Sequence, residues 1–434
     1  MRKTAILLMA LTLSTSAWAA FHYDISYRLN GTAGCFLPET HLNPWIQDHN
    51  LIAGGTFAVE FHPTGKLPSM QMWNNSTIGF GVTYMNLGNN KMLGNAVALH
   101  GSLAIPFYSG KHFRIGIRPS IGLAFCDKRY INTLKEGIAP YSAMYSNDTL
   151  VANVNIGSVV NAYLAAELFM DFPIKDGWEI TCSGRFSHIS NGSVMAPNGG
   201  YNMFNGELGL RYYPPHQTGR SQPRTNVPHR LYDGVDKPWA VEMSVSGSVR
   251  QVYYKDNIDG HKFFGVGSAK VAAYWVPLSI FRLGAGFDAF YDSYYACVSY
   301  GDGEFPGATV TYYGKTYLNT SDTKNCFRVG FSIQPEIIIG KVTVGVHVGF
   351  YLYDPVKNLE PYKDAKKAYE TNTPLDRGIF YGYDFTKTST QQDGWCYAQL
   401  VLKYHVLNHM FLQLSMKSHG PSVEFVDAGI GVAL

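Results

Sequence analysis

Trp178-Glu179-Ile180-Thr181-Cys182-Ser183-Gly184-Arg185-Phe186-Ser187-His188-Ile189-Ser190 is the stretch that decides the fold. Side chains alternate between the two faces of a strand. The even positions are apolar or small as far as Phe186, and the odd positions Glu179, Thr181, Ser183, Arg185 and Ser187 are polar. A strand in a membrane barrel turns its apolar row to lipid and its polar row to the lumen. His188 and Ser190 then continue the lipid-facing row at its far end. A polar pair on such a row needs a reason beyond packing, and a base beside a hydroxyl there suggests chemistry on lipid.

The rest of the chain follows the same rule. It has 30 Tyr, 25 Phe and 44 Gly among 434 residues but only 15% charged residues, a composition that suits an outer-membrane barrel. A secreted β-sandwich also alternates. It does not explain so many strands with one wholly apolar face and aromatic residues at the ends. Strands are predicted near 23–30, 53–61, 77–85, 92–105, 112–125, 154–170, 178–190 and 202–213. A second set is predicted near 238–250, 263–276, 279–291, 326–338, 341–352, 395–405, 409–418 and 422–434. The final hairpins of the two sets can be aligned, Ile180–Tyr213 with Phe411–Leu434, which suggests duplication.

The fold class is therefore all-β: an antiparallel outer-membrane barrel protein in two tandem halves of about eight strands each. One barrel of about sixteen strands is the alternative. The polar rows of the first half carry Asp24, Glu60, Glu167, Glu179 and Glu207 against Arg28, Arg114, Arg118, Arg185 and Arg211. Balanced charges among small residues suit a narrow barrel filled by side chains. Buried charges must pair, so an ion-pair network is expected in place of an open channel. This balance, and Pro214, Pro215, Pro223 and Pro228 in a polar 214–237 linker, favour two barrels.

Residues 1–19 read as a secretory signal: Arg2 and Lys3, an apolar run, then Ala17-Trp18-Ala19. Its removal takes the formal charge from +3 to +1, since Arg2 and Lys3 leave. That near-neutral charge gives no argument for a nucleic-acid partner. Of the six cysteines, Cys297 and Cys326 flank one predicted outer loop and are candidates to pair, whereas Cys182 and Cys396 sit inside strands as free thiols. No cysteine spacing resembles a zinc site.

With the amino terminus in the periplasm, strand 178–190 ends at the outer surface, and the long connections at 31–52, 126–153 and 353–394 fall outside. The run His188-Ile189-Ser190-Asn191-Gly192, followed by Pro197-Asn198-Gly199-Gly200, resembles the signature of outer-membrane lipid A 3-O-deacylases, the PagL-like family. The likeness covers roughly 20–213, and the two-half layout resembles longer acyloxyacyl hydrolases of the Bacteroidetes type. The resemblance implies an eight-stranded barrel carrying the active site at 20–213, followed by a second barrel-like repeat at 238–434. It implies a serine esterase in the bacterial outer membrane that hydrolyses an ester-linked acyl chain of lipid A, with lipopolysaccharide as substrate and no metal or organic cofactor.

By the same resemblance Ser190 is the nucleophile and His188 the general base. Asn191, Gly192 and Asn198 are the oxyanion or substrate-binding candidates. The family places an acid where this chain has Asn202, twelve residues after the serine. An amide there can orient the histidine but cannot lend it charge. Lys417-Ser418-His419-Gly420 in the second half invites the same reading, yet Lys417 and His419 fall on the lumen side and Gly420 stands in the serine's place, so a degenerate copy is expected. Glu424 falls on the apolar face by simple alternation, and His100 and His347 read as structural lumen residues. The rival readings are a structural or transport barrel with a relict motif and a phospholipase-type acyl hydrolase.

Overall fold

The computed structural model describes residues 23–37, 51–63, 76–90, 93–130, 155–175, 177–195, 198–215, 238–251, 263–278, 280–293, 311–312, 315–316, 323–354, 396–419 and 422–434. The expected signal 1–19, most of the linker 214–237, Pro197 and Cys297 lie outside them. The backbone contacts divide the chain into two compact units, 1–190 with 199–229 and 191–198 with 230–434. Each unit contains one closed barrel of eight antiparallel strands.

The first barrel is built from β1 (Tyr23–Phe36), β2 (Ile52–Pro63), β3 (Thr77–Asn86), β4 (Asn95–Ser109), β5 (Arg114–Cys126), β6 (Val160–Pro173), β7 (Trp178–Ser190) and β8 (Tyr201–Tyr212). Each strand pairs with the next, and β1 closes on β8 from Tyr27↔Tyr212 to Phe36↔Met203. The alternation has the expected sense. Tyr27, Leu29, Leu208, Leu210 and Phe204 are exposed on the outside, while Arg28, Glu60, Arg118, Arg185 and Arg211 are buried within.

The lumen is an ion-pair network. Arg211 reaches Glu60 at 2.6 Å and both Asp171 and Glu179 at 2.7 Å. Arg28 meets Glu60 at 2.9 Å, Arg185 meets Glu207 at 2.8 Å, and Arg118 pairs with Glu167. The end of the lumen where β7 pairs with β8 at Ile189↔Tyr201 is apolar, packed by Phe36, Ile52, Met85, Ile189, Tyr201 and Met203. His100 is buried and hydrogen-bonds Thr83 at 3.0 Å, as expected of a structural residue.

The second barrel comprises β9 (Trp239–Arg250), β10 (Phe264–Leu278), β11 (Phe281–Asp292), β14 (Phe327–Ile339), β15 (Val342–Tyr353), β16 (Cys396–Leu407), β17 (Met410–His419) and β18 (Ser422–Ala433). Between β11 and β14 lie the two-residue strands β12 (Thr311–Tyr312) and β13 (Lys315–Thr316). The barrel closes between β18 and β9. It too is filled: Lys403 Nζ lies 2.7 Å from both Glu242 and Glu336, and Arg282 lies 2.6 Å from the same two carboxylates. Arg250 pairs with Asp292 at 2.6 Å, and His347 Nε2 meets Glu336 at 2.8 Å.

Four expectations are corrected. β1 runs to Phe36, so the first long connection starts later than residue 31. β4 continues past Pro106 to Ser109: Pro106 keeps its ladder position opposite Gly116, and a bulge that leaves Phe107 unpaired in register follows it. β6 begins at Val160, so Asn155 and Ile156 precede the strand. Glu424 is buried, not on the apolar outer face, because the β17–β18 register shifts between Lys417 and Ser418. The bulge turns Glu424 and Phe425 inward together. There Glu424 pairs with Arg328 and Lys417.

Candidate active site

The outer row of β7 carries the candidate groups. His188 lies opposite Leu164 on β6 and Asn202 on β8. Ser190 pairs with Ala162 on β6, but the β7–β8 ladder ends one residue earlier, at Ile189↔Tyr201. In the ladder Ser190 is thus held by one neighbour strand.

The Cα atoms of His188 and Ser190 are two strand rises apart, roughly 6.5–7 Å. Their side chains nevertheless meet, with Ser190 Oγ 2.8 Å from His188 Nε2. On the other side of the ring, Nδ1 is 2.6 Å from Asn202 Oδ1. An amide oxygen only accepts, so Nδ1 carries the proton and Nε2 is left to accept from the serine hydroxyl. The arrangement contains no charged member. Glu207 points into the lumen, where it pairs with Arg185 at 2.8 Å. Ser190 is 3% exposed, while His188 and Asn202 are half-buried.

The loop that follows is shaped by its own backbone. Gly192 and Ser193 both have left-handed φ, 62° and 66°, and Val194 N donates to Asn191 O at 3.2 Å. A β-turn with both central residues left-handed suits Gly192 and is strained at Ser193. The Asn191 side chain closes the turn further, its Nδ2 donating to Met195 O at 2.8 Å. Asn191 N donates to Asn198 Oδ1 at 2.9 Å. The expected oxyanion candidates are therefore joined to one another: the Asn191 amide is engaged by Asn198, which turns the Asn198 Nδ2 group away from that bond.

Two residues beyond the expected set belong to this neighbourhood. Gly200, with φ of 73°, packs so closely that an added Cβ would lie 3.1 Å from His188 Cε1 and 3.3 Å from Ser190 Cβ. Asn155 holds Gly200 at both backbone groups: Gly200 N donates to Asn155 O at 2.9 Å, and Asn155 Nδ2 donates to Gly200 O at 2.8 Å. The glycine was legible as part of the Pro-Asn-Gly-Gly run; Asn155 carried no signal, being hidden in an apparent strand.

The second barrel has no equivalent arrangement among the described residues. His419 Nε2 lies 2.7 Å from Tyr351 Oη, and its Nδ1 is 3.4 Å from Glu424. Both nitrogens thus face lumen groups, not Ser418.

Closed barrels with an apolar outer face and a charge-filled lumen define integral outer-membrane β-barrel proteins. The family model for the lipid A 3-O-deacylase (PagL) matches residues 55–211, and that for the acyloxyacyl hydrolase C-terminal domain matches residues 239–372. The chain belongs to this lipid A 3-O-deacylase and acyloxyacyl hydrolase family and is a carboxylic ester hydrolase of the outer membrane. Among solved structures, the outer-membrane enzyme PagL is similar at 14% identity over 43% of this chain and 99% of that one, with a TM-score of 0.25. Neisserial surface protein A is similar at 11% identity over 44% and 97%, also at 0.25. No curated protein sequence matches the chain.

Proposed function

We propose that the protein is a serine esterase that removes an ester-linked acyl chain from lipid A in the outer leaflet, using Ser190, His188 and Asn202. The observation that carries the reading is the continuous hydrogen-bonded line from Asn202 on β8 to His188 and Ser190 on the outer row of β7, within the segment matched by the deacylase family model. A neutral base that already accepts the serine proton on the outside of a barrel is the arrangement needed to attack an ester at the membrane surface.

In this mechanism Ser190 Oγ attacks the ester carbonyl while His188 Nε2 takes its proton. The tetrahedral intermediate expels the sugar alcohol, which receives that proton from His188, and an acyl-serine remains. Water then attacks the acyl-serine, giving a proton to His188. Ser190 leaves with that proton and the fatty acid is released. The backbone of Gly192 and the Asn198 side-chain amide are the proposed donors to the oxyanion. The Asn191 amide acts indirectly in this reading, through its bond to Asn198.

The acyl chain has a place on the same face. A cavity of about 750 Å³ is lined by Gly31, Ala33, Ala53, Gly184, Gly206 and Leu208, among others. Gly184, Gly206, Ala33 and Ala53 are successive ladder partners from β7 to β2. They lie four residues along β7 from His188, about 13 Å at the usual strand rise.

The test is mass spectrometry of lipid A from a Gram-negative host expressing the wild type or Ser190→Ala. Loss of one hydroxyacyl chain with the wild type alone supports the proposal. Equal loss with both removes Ser190 as nucleophile. A change in glycerophospholipids with lipid A intact points to a phospholipase, and no change in either lipid favours a structural barrel.

A further inference from the structure

Asn155 lies 35 positions before Ser190 in the sequence and holds Gly200, which borders the candidate pair. Its surroundings are unusually well fixed for a segment outside a strand. Tyr130 N donates to Ile156 O at 2.8 Å, and the Ile156 side chain is fully buried in the apolar end of the first barrel. Ser158 Oγ donates to Asn161 Oδ1 at 2.9 Å, Asn161 Nδ2 donates to Ser158 O at 3.0 Å, and Cys126 N donates to Val159 O at 2.9 Å. Asn155 itself is 2% exposed. A rigid support thus delivers one amide side chain and one carbonyl to a single glycine.

What Gly200 does with that support follows from where it sits. The imidazole of His188 is tethered at Nδ1 by Asn202 and at Nε2 by Ser190. Cε1 is the carbon between those nitrogens, and it is the ring atom nearest the Cβ position of Gly200, at 3.1 Å. The two tethers leave the ring free to tilt about the line joining them, and the Gly200 backbone borders that side of the ring, so that a methyl group there would press on Cε1. The same Cβ position is 3.3 Å from Ser190 Cβ, so one backbone position borders both members of the pair.

We propose that Asn155 is a positioning residue for ester hydrolysis: it clamps Gly200, and Gly200 sets the alignment of His188 with Ser190. This rests on the reading of Ser190 as nucleophile. Small displacements between a base and a nucleophile are costly, about 100-fold for 1 Å. The side-chain bond requires an N–H donor, so a carboxylate of the same shape fails, because it presents two acceptors to the Gly200 carbonyl.

The test uses the full chain, folded in detergent, with folding scored by the heat-dependent gel shift of closed barrels. Wild type, Asn155→Ala, Asn155→Asp and Gly200→Ala are compared in two ways: deacylation of lipid A micelles, and labelling of Ser190 by a fluorophosphonate. Both Asn155 variants are expected to fold, to lose roughly 10–100-fold in kcat and in labelling rate, and to keep KM within about twofold. Gly200→Ala should lose a similar factor, and Asn155→Ala combined with Gly200→Ala should lose no more than the worse single variant, since both act through one contact. Wild-type kcat per folded molecule in Asn155→Ala, or in Asn155→Asp, overturns the inference while leaving Ser190 untouched. A loss confined to KM also overturns it. If the folded wild type neither deacylates nor labels, the reading of Ser190 falls first and the positioning role falls with it.

Discussion

Asn202 Oδ1 lies 2.6 Å from His188 Nδ1, directly across the β7–β8 ladder. It fixes the tautomer that leaves Nε2 free to accept, but it offers no charge to the imidazolium that forms during attack. Asn202→Ala should therefore keep the fold and lower kcat by about 10–100-fold, a loss of orientation alone. Asn202→Asp should raise kcat above wild type. A carboxylate beside the ring favours the protonated imidazole, so the acid limb of the pH–rate profile should move to higher pH in that variant. A profile of deacylation rate against pH for the three proteins checks both statements.

Arg211 is the hub of the first lumen, within 2.7 Å of Glu60, Asp171 and Glu179. Arg211→Met removes the cation and leaves three carboxylates in a buried space. Breaking a buried network from one side costs about 3–5 kcal/mol. The variant should unfold in detergent at distinctly lower urea than wild type, as read by the heat-dependent gel shift. Equal midpoints would show that solvent enters the lumen and screens these groups.

Most of this architecture was legible because barrel strands obey one simple rule. Alternation from Trp178 to Phe186 sets which row faces out, and the lumen charges then have to pair. Asp171 was missed only because β6 runs to Pro173 and not to 170. The failures lie where alternation itself breaks. Simple alternation puts Glu424 on the outside because a bulge leaves no mark in the residue pattern. Asn155 resembles a strand residue in the sequence because its apolar neighbour Ile156 mimics alternation. At the candidate site, the spacing of His188, Ser190 and Asn202 was visible in the sequence. The clamp on Gly200 joins residues 45 positions apart and is set by how the chain enters β6.

Glu424 makes a second test of buried charge, with a different geometry. It pairs with both Arg328 and Lys417, and the Lys417 ammonium also lies 4.7 Å from the Phe290 ring centroid and 5.5 Å from that of Phe425. Glu424→Gln leaves two cations facing an uncharged amide. The aromatic faces offset part of that loss, by about 0.5–2 kcal/mol each. The destabilisation should accordingly be smaller than that of Arg211→Met, and Glu424→Gln combined with Lys417→Met should recover part of it. A double-mutant cycle of urea midpoints measures the coupling.

The second barrel should supply no nucleophile of its own. Its only serine–histidine neighbours of the right kind among the described residues are Ser418 and His419, and these are adjacent in sequence, so their side chains leave opposite faces of β17. His419 is committed to Tyr351 at 2.7 Å and lies near Glu424 at 3.4 Å. Ser418→Ala should therefore retain wild-type deacylation. A fluorophosphonate should label the wild type and Ser418→Ala equally, and Ser190→Ala not at all. Residual labelling of Ser190→Ala that disappears when Ser418→Ala is added would instead assign a second nucleophile to β17.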